Sequence, residues 1–289
     1  MTERMSQGDQ TESMARLRNA IDGIEAHYGP AHKRAPLKLP VTRALDPALG
    51  GGLSDDSLHE IAPAQAGDGA AAVGFAMALA ARFTAASRRS STALLVSEDF
   101  CARETGALYG PGLAAYGLGL GRLVFVRAPD APALLWAMEE ALKSGALAVV
   151  VGEMWSLTRH YGLAASRRLL LAARAGRAPA LLVHGGAFGR ADAISSAAET
   201  RFEIAAASSR RLEPAGGRLG LPGAPAFAAR LLKARLRPSA QGPPTRGFDE
   251  ARVIRLEWNG VERCFRDPTI SLPMVRAAAD GSGESVARR

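Results

Sequence analysis

The run Leu58-His59-Glu60-Ile61-Ala62-Pro63-Ala64-Gln65-Ala66-Gly67-Asp68-Gly69-Ala70 sets the architecture of this chain. Ser57–Ile61 predicts a strand, which leads into a Gly/Ala-rich turn, Ala62 to Gly69. An alanine-rich helix follows at Ala70–Ala86, carrying Val73, Met77, Ala80 and Phe83. Strand, glycine turn and long helix in that order open a parallel sheet, because a parallel neighbour is reached only through a crossover connection.

The alternation continues downstream. Strands are predicted at Thr92–Val96, Arg122–Val126, Ala146–Val151 and Ala180–Val183, with helices at Ala133–Ser144 and Leu163–Ala175. Ala146–Val151 is an unbroken apolar run, which marks a strand covered on both faces. Gly145 and Gly176 stand where these helices should stop, Gly145 in a left-handed cap. After Ala197 the period becomes two. Phe202, Ile204 and Ala206 alternate with polar neighbours, as do Ile254, Leu256 and Trp258. These predict antiparallel strands with one wet face, separated by Gly/Pro-rich loops at Gly216–Pro225 and Pro238–Gly247. The expected class is α/β, with a mainly parallel central sheet and antiparallel C-terminal strands.

Upstream, residues 1–10 are polar and predict disorder. From Thr11 to Tyr28 the pattern is helical: Met14, Leu17, Ile21, Ile24 and Tyr28 recur at three- and four-residue steps. Such a stripe suits a partner's groove or a second copy of the chain, and equally its own core. Gly29-Pro30 stops this N-terminal helix, and a basic linker, Ala31–Pro40, follows. Beyond Asn259 the period fades into a tail with Arg263, Arg266, Arg276, Arg288 and Arg289, expected to order only on binding. The organisation expected is an arm over 1–36, a core over 37–259 and a tail over 260–289. Trp136, Trp155 and Trp258 are expected in the core or as half-buried platforms.

Composition narrows the function classes. A chain of 289 residues can bury one substantial core. Cys101 and Cys264 fit neither a disulfide framework nor a zinc site, and five scattered histidines argue against a metal centre. No apolar stretch reads as long enough to span a bilayer. The N-terminus, with Glu3, Asp9 and Glu12, lacks the apolar centre of a secretory signal, so the expected location is cytoplasmic. A net charge of +8 invites an acidic or nucleic-acid partner. The coding bias suggested by few lysines and abundant Ala, Gly and Pro explains the same charge without one.

Three segments carry a family resemblance. Thr42-Arg43-Ala44-Leu45-Asp46-Pro47-Ala48-Leu49-Gly50-Gly51-Gly52-Leu53 runs into Leu58-His59-Glu60-Ile61 and resembles the lead-in to the strand before the phosphate-binding loop found in both RecA and the ImuA family. Glu139-Glu140-Ala141-Leu142-Lys143-Ser144-Gly145-Ala146 is similar to the RecA approach to its Walker B strand. Arg103-Glu104-Thr105-Gly106-Ala107-Leu108-Tyr109-Gly110-Pro111-Gly112-Leu113, with Gly117 behind it, resembles the ImuA family of RecA-like SOS mutagenesis proteins most closely. The resemblance covers about Leu39 to Trp258 by eye. It implies a RecA-like core, an accessory role in damage-induced mutagenesis and translesion synthesis, and two partners: an ImuB-like polymerase homologue and an error-prone C-family polymerase. RecA itself, single-stranded DNA and self-association are further candidates; a membrane is not.

Against that resemblance, the chemistry of ATP hydrolysis is missing. A Walker A loop needs glycines that let N–H groups wrap phosphate, a lysine for the β/γ-phosphates and a hydroxyl for Mg²⁺. With Gly67 as the second motif glycine, Asp68 replaces the lysine and Gly69 the hydroxyl, and an aspartate facing the phosphates repels them. Pro63 removes a further N–H. At the Walker B position Val149-Val150-Val151 is followed by Gly152, and Glu153 lies on the opposite strand face. The pair Glu98-Asp99 reads either as a catalytic carboxylate or as a solvated strand end. No cofactor and no enzymatic activity are therefore expected.

Candidate DNA contacts are Arg159 with Tyr161, and Phe188 with Arg190 in a glycine-rich loop, each offering a cation beside a ring. His184 stands at a strand end where RecA keeps a residue that senses nucleotide, or is a satisfied strand-end histidine. Two rivals accompany the accessory reading. One is an active RecA-like DNA-dependent ATPase using Arg82 or a neighbour's arginine as its phosphate cation. The other is a SulA-like inhibitor of cell division, since SulA shares a degenerate RecA-like core.

Overall fold

The structure, a computed structural model, describes residues 36–155, 160–209, 223–235 and 252–267. The Met14–Tyr28 stripe, Arg159 and the tail beyond Asp267 lie outside the described residues. Strands β1 (Lys38–Leu39) and β2 (Leu53–Ser54) form a small antiparallel pair. The main sheet is built from β3 (Leu58–Pro63), β4 (Ala93–Glu98), β5 (Leu123–Ala128), β6 (Val149–Met154), β7 (Ala180–His184) and β8 (Thr200–Ala206). It continues with β9 (Ala226–Ala234), β10 (Val253–Asn259) and β11 (Cys264–Arg266). Helices α1 (Gly69–Ala86), α2 (Asp99–Glu104), α3 (Gly110–Ala115), α4 (Ala131–Lys143) and α5 (Leu163–Gly176) are interleaved with the first five of these strands.

The nine strands lie in the order β11-β10-β9-β8-β3-β7-β6-β4-β5. Pairs from β8 through β5 are parallel, and those from β8 outward to β11 are antiparallel. The chain is thus a mixed α/β protein with a mainly parallel sheet, as the alternating and unbroken apolar runs require. The sheet continues past the expected core limit at residue 259, because Phe265 closes a hairpin and packs at 5.0 Å on the Trp258 ring.

Two cores cover the two faces. On one face α1 packs Phe75, Leu79 and Phe83 over Ile61, Leu95, Val151 and Phe202. Phe75 meets the rings of Phe202, Phe227 and Phe265 at centroid separations of 5.5, 5.7 and 5.2 Å. On the other face α4 and α5 bring Leu134, Met138, Leu142 and Leu169 onto Leu58, Leu94, Val150 and Leu182. With its preceding turn, α1 spans Ala66–Ala86 at a mean hydropathy of 1.4, long and apolar enough to cross a membrane by length and composition. This corrects the expectation that no apolar stretch reaches spanning length. In the fold it is the central helix, crossed so closely by the Tyr116 hydroxyl that a Cβ at Gly74 would collide.

One local expectation changes, that for Trp136. Gly145 adopts the left-handed conformation, and α5 ends at Gly176, with Arg177 left-handed at φ of 53°. Gly176 is needed for contact, since a Cβ there would strike the carbonyl of Leu142 at the end of α4. Trp258 is buried, whereas Trp136 is 63% exposed because it sits on the solvent side of α4.

Candidate functional site

In open α/β sheets, ligands bind beyond the carboxyl ends of the parallel strands. There β3 ends at Pro63, the chain makes one 3-10 turn at Ala66–Asp68, and α1 starts at Gly69. This loop is sewn to β8. The N–H of Ala64 donates to the Ile204 carbonyl at 2.9 Å. The N–H of Ala206 donates to Asp68 Oδ1 at 2.8 Å. Gln65, Ala66 and Gly67 are exposed, while Asp68 is 4% exposed.

The expected position of Asp68, facing bound phosphate, is corrected by this geometry. Its carboxylate turns inward because a backbone N–H at the end of β8 needs an acceptor, and a buried unpaired amide is costly. Oδ2 has no hydrogen-bond partner among the described residues. These bonds make the loop a joint between α1 and β8. Arg82, the cation invoked for an active ATPase, lies about 20 Å along α1 from that joint. Its guanidinium donates to the Val41 carbonyl at 3.2 Å.

Two carboxylates stand at the neighbouring strand ends. Glu98 closes β4, is 7% exposed, and accepts from the Trp155 N–H at 2.9 Å. It is therefore not a solvated group, whereas Asp99 is half-buried and pairs with Arg127 at 2.9 Å. Glu153, on β6, accepts from Ser97 Oγ at 2.8 Å and lies 3.5 Å from Thr105 Oγ1. Burial raises the Glu153 carboxyl pKa against the lowering effect of those hydroxyls. Among the described residues no cluster of His, Cys, Asp and Glu could hold a metal ion. Burial, with Glu153 and Glu98 nearby, also pushes the Cys101 thiol up, so it is no nucleophile.

A second polar centre lies one layer below. Glu60, in mid-β3, is fully buried and stands opposite Arg201 of β8. Arg201 Nε donates to Glu60 Oε2 at 2.7 Å, and Ser196 Oγ donates to the same oxygen at 2.9 Å. The Tyr161 hydroxyl donates to Oε1, and His184 Nε2 lies 3.6 Å from that oxygen. Arg201 also holds the Ala191 carbonyl at 2.9 Å. Burial raises the Glu60 pKa, but His184, Arg201 and Tyr161 outweigh it and hold the carboxyl at about 2. The network joins β3 and β8 to the segments following β6 and β7. Neither Glu60 nor Arg201 was singled out from sequence, although a lone Glu in an apolar strand was a usable signal.

A parallel cluster fixes the lead-in. Glu199 accepts from Ser54 Oγ at 2.5 Å, Ser57 Oγ at 2.6 Å and Lys38 Nζ at 3.0 Å. His59 Nδ1 lies 2.9 Å from Thr200 Oγ1. The β1–β2 pair is thereby pinned to β3 and β8.

Of the candidate DNA contacts, Arg159 lies outside the described residues. Tyr161 is 9% exposed with its hydroxyl on Glu60, so it offers no stacking face; the segment needs the ring to cover His184, 4.8 Å away. Phe188 is 38% exposed and Arg190 is exposed beside it. His184 is 1% exposed; its Nε2 lies 3.6 Å from Glu60 Oε1, just beyond hydrogen-bond length, and neither ring nitrogen hydrogen-bonds another described residue. Trp155 lies across the Gly185-Gly186 turn, where a Cβ at Gly185 would come within 3.0 Å of its ring.

No family model matches the chain, and no curated protein matches it. Among solved structures, SulA from Pseudomonas aeruginosa is similar with a TM-score of 0.34 and 21% identity. That match covers 44% of this chain and 96% of SulA.

Proposed function

We propose that this chain is a non-catalytic accessory protein of damage-induced mutagenesis, an ImuA-like scaffold on a RecA-like core. The observation that carries the reading is Asp68: where phosphate chemistry needs a cationic donor, the chain places an acceptor bonded to its own β8 at 2.8 Å. Pro63 supplies no N–H to the same loop, and Glu153 is engaged by Ser97. The motifs Thr42–Leu53 and Arg103–Leu113 support the family side of the proposal by resemblance. On this reading the core displays its arm and tail to an ImuB-like polymerase homologue and an error-prone C-family polymerase without ATP turnover.

Co-purification from DNA-damaged cells tests it. Tagged protein treated with nuclease is expected to retain both polymerase-like partners, and a deletion strain is expected to lose damage-induced mutation. Recovery of a cell-division protein in their place would turn the reading toward a SulA-like inhibitor. DNA-stimulated phosphate release would turn it toward an active ATPase.

A further inference from the structure

Antiparallel strands β8 and β9 slip out of register at one point. Arg201 faces Lys233, but the next pair is Phe202 with Leu231, so Leu232 has no partner on β8. A bulge of this kind re-aims the side chain beyond it. Leu231 enters the α1 core with Phe202, and in a regular strand Lys233, two residues on, would follow it. The extra residue turns Lys233 to the other face, directly across from Arg201. Like charges placed opposite one another destabilise a sheet, so strand pairing alone gives no reason for this placement.

Its surroundings separate Lys233 from the other described lysines. Lys38 pairs with Glu199 at 3.0 Å, and Lys143 with Glu139 and Glu140 at 2.8 and 2.9 Å. Among the described residues Lys233 has no carboxylate at ion-pair distance. Its Nζ donates to the Ser196 carbonyl at 2.6 Å and lies 3.4 Å from Ser196 Oγ. Arg201 is committed to Glu60. Arg235, just past the end of β9, is exposed, and among the described residues nothing pairs with its guanidinium. Burial, then Arg235 and Arg201, outweigh Glu60 and hold the half-buried Lys233 down at about 8. Lys143 is shifted the other way by its two carboxylates.

We propose that Lys233 is an acylation site whose donor is an acyl phosphate. The lone pair of the neutral Lys233 amine attacks the acyl carbon and forms the N–C bond of an amide. The bond from that carbon to the phosphate oxygen breaks, and phosphate leaves with the electron pair and takes up the proton shed by nitrogen. The free guanidinium of Arg235 beside the amine suits the phosphate end of such a donor. A thioester without phosphate gives that guanidinium nothing to hold. Acylation removes the ammonium that stands across from Arg201. It also weakens the hold on Ser196, whose hydroxyl donates to Glu60, so the change is felt in the buried network. The step needs no nucleotide and stands apart from the Asp68 loop.

The test incubates the purified full chain with acetyl phosphate near neutral pH and follows each lysine by peptide mass spectrometry. Lys233 is expected to be acetylated at least about fivefold faster than Lys143, because far more of its amine is neutral there. Arg235→Gln, on an exposed side chain, is expected to slow Lys233 by about threefold or more and to leave Lys143 unchanged. A phosphate-free acetyl thioester is expected to show a smaller preference for Lys233 over Lys143. Equal rates at Lys233 and Lys143 would overturn the site. Indifference to Arg235→Gln, or an equal preference with the thioester, would overturn the acyl phosphate as its donor.

Discussion

Glu60 concentrates the energetics of the site in one side chain. Truncating it leaves Arg201 buried and unpaired, so Glu60→Ala is expected to cost about 3–5 kcal/mol in urea unfolding. Replacing Glu60 and Arg201 together by apolar residues of similar size should cost far less, because desolvation of the pair offsets much of its attraction. Acid sensitivity follows from the same chemistry. Glu60 and Glu199 are both held at about 2 when folded, below the roughly 4.3 of a free glutamate. The unfolded chain takes up protons first, so this stability is complete above the unfolded value and disappears as pH falls through the folded one. Unfolding midpoints should therefore drop between about pH 4.5 and pH 2, and Glu60→Gln should flatten that slope. Unchanged slopes would show that these carboxylates are not held as described. At Asp68 the prediction is smaller: Asp68→Ala removes one bond to Ala206 and should cost about 1 kcal/mol.

At the scale of elements, contact decides more than propensity. A Cβ at Gly176 would collide with Leu142, so Gly176→Ala is expected to destabilise by about 1–3 kcal/mol through forced separation of α4 and α5. Asp130 caps α4 by accepting from the Ala133 N–H at 2.9 Å. Its replacement by alanine should cost about 1 kcal/mol, measured by thermal melting. The elements themselves were legible from periodicity, since unbroken runs such as Val149-Val150-Val151 admit little besides a doubly covered strand. Their ends were less so. Strand β6 starts at Val149 and not at Ala146, because Ala148 N–H turns aside to the Thr92 carbonyl at 2.8 Å. The Glu60–Arg201 pair was hidden for a related reason: the residues are 141 positions apart, and only the β3–β8 register brings them face to face. That the loop after β3 carries Asp68 and no lysine was visible in the sequence; the inward turn of Asp68 needed the position of β8.

Across the whole molecule, the two poles of the sheet have different characters. At the carboxyl pole, loop, carboxylates and strand ends are tied to one another by hydrogen bonds within the chain. At the opposite pole, Arg89 joins the end of α1 to the end of α5 through the Gly176 carbonyl. The adaptor proposal rests on the first pole alone. Its central claim is that the Asp68 loop is a structural joint. Calorimetric titration of the purified full chain with ATP–Mg²⁺, alongside Asp68→Ala, tests this most directly. The account predicts no saturable binding by either protein, with Asp68→Ala differing only in a slightly lower unfolding midpoint. Micromolar binding by the natural chain, weakened by Asp68→Ala, would contradict it.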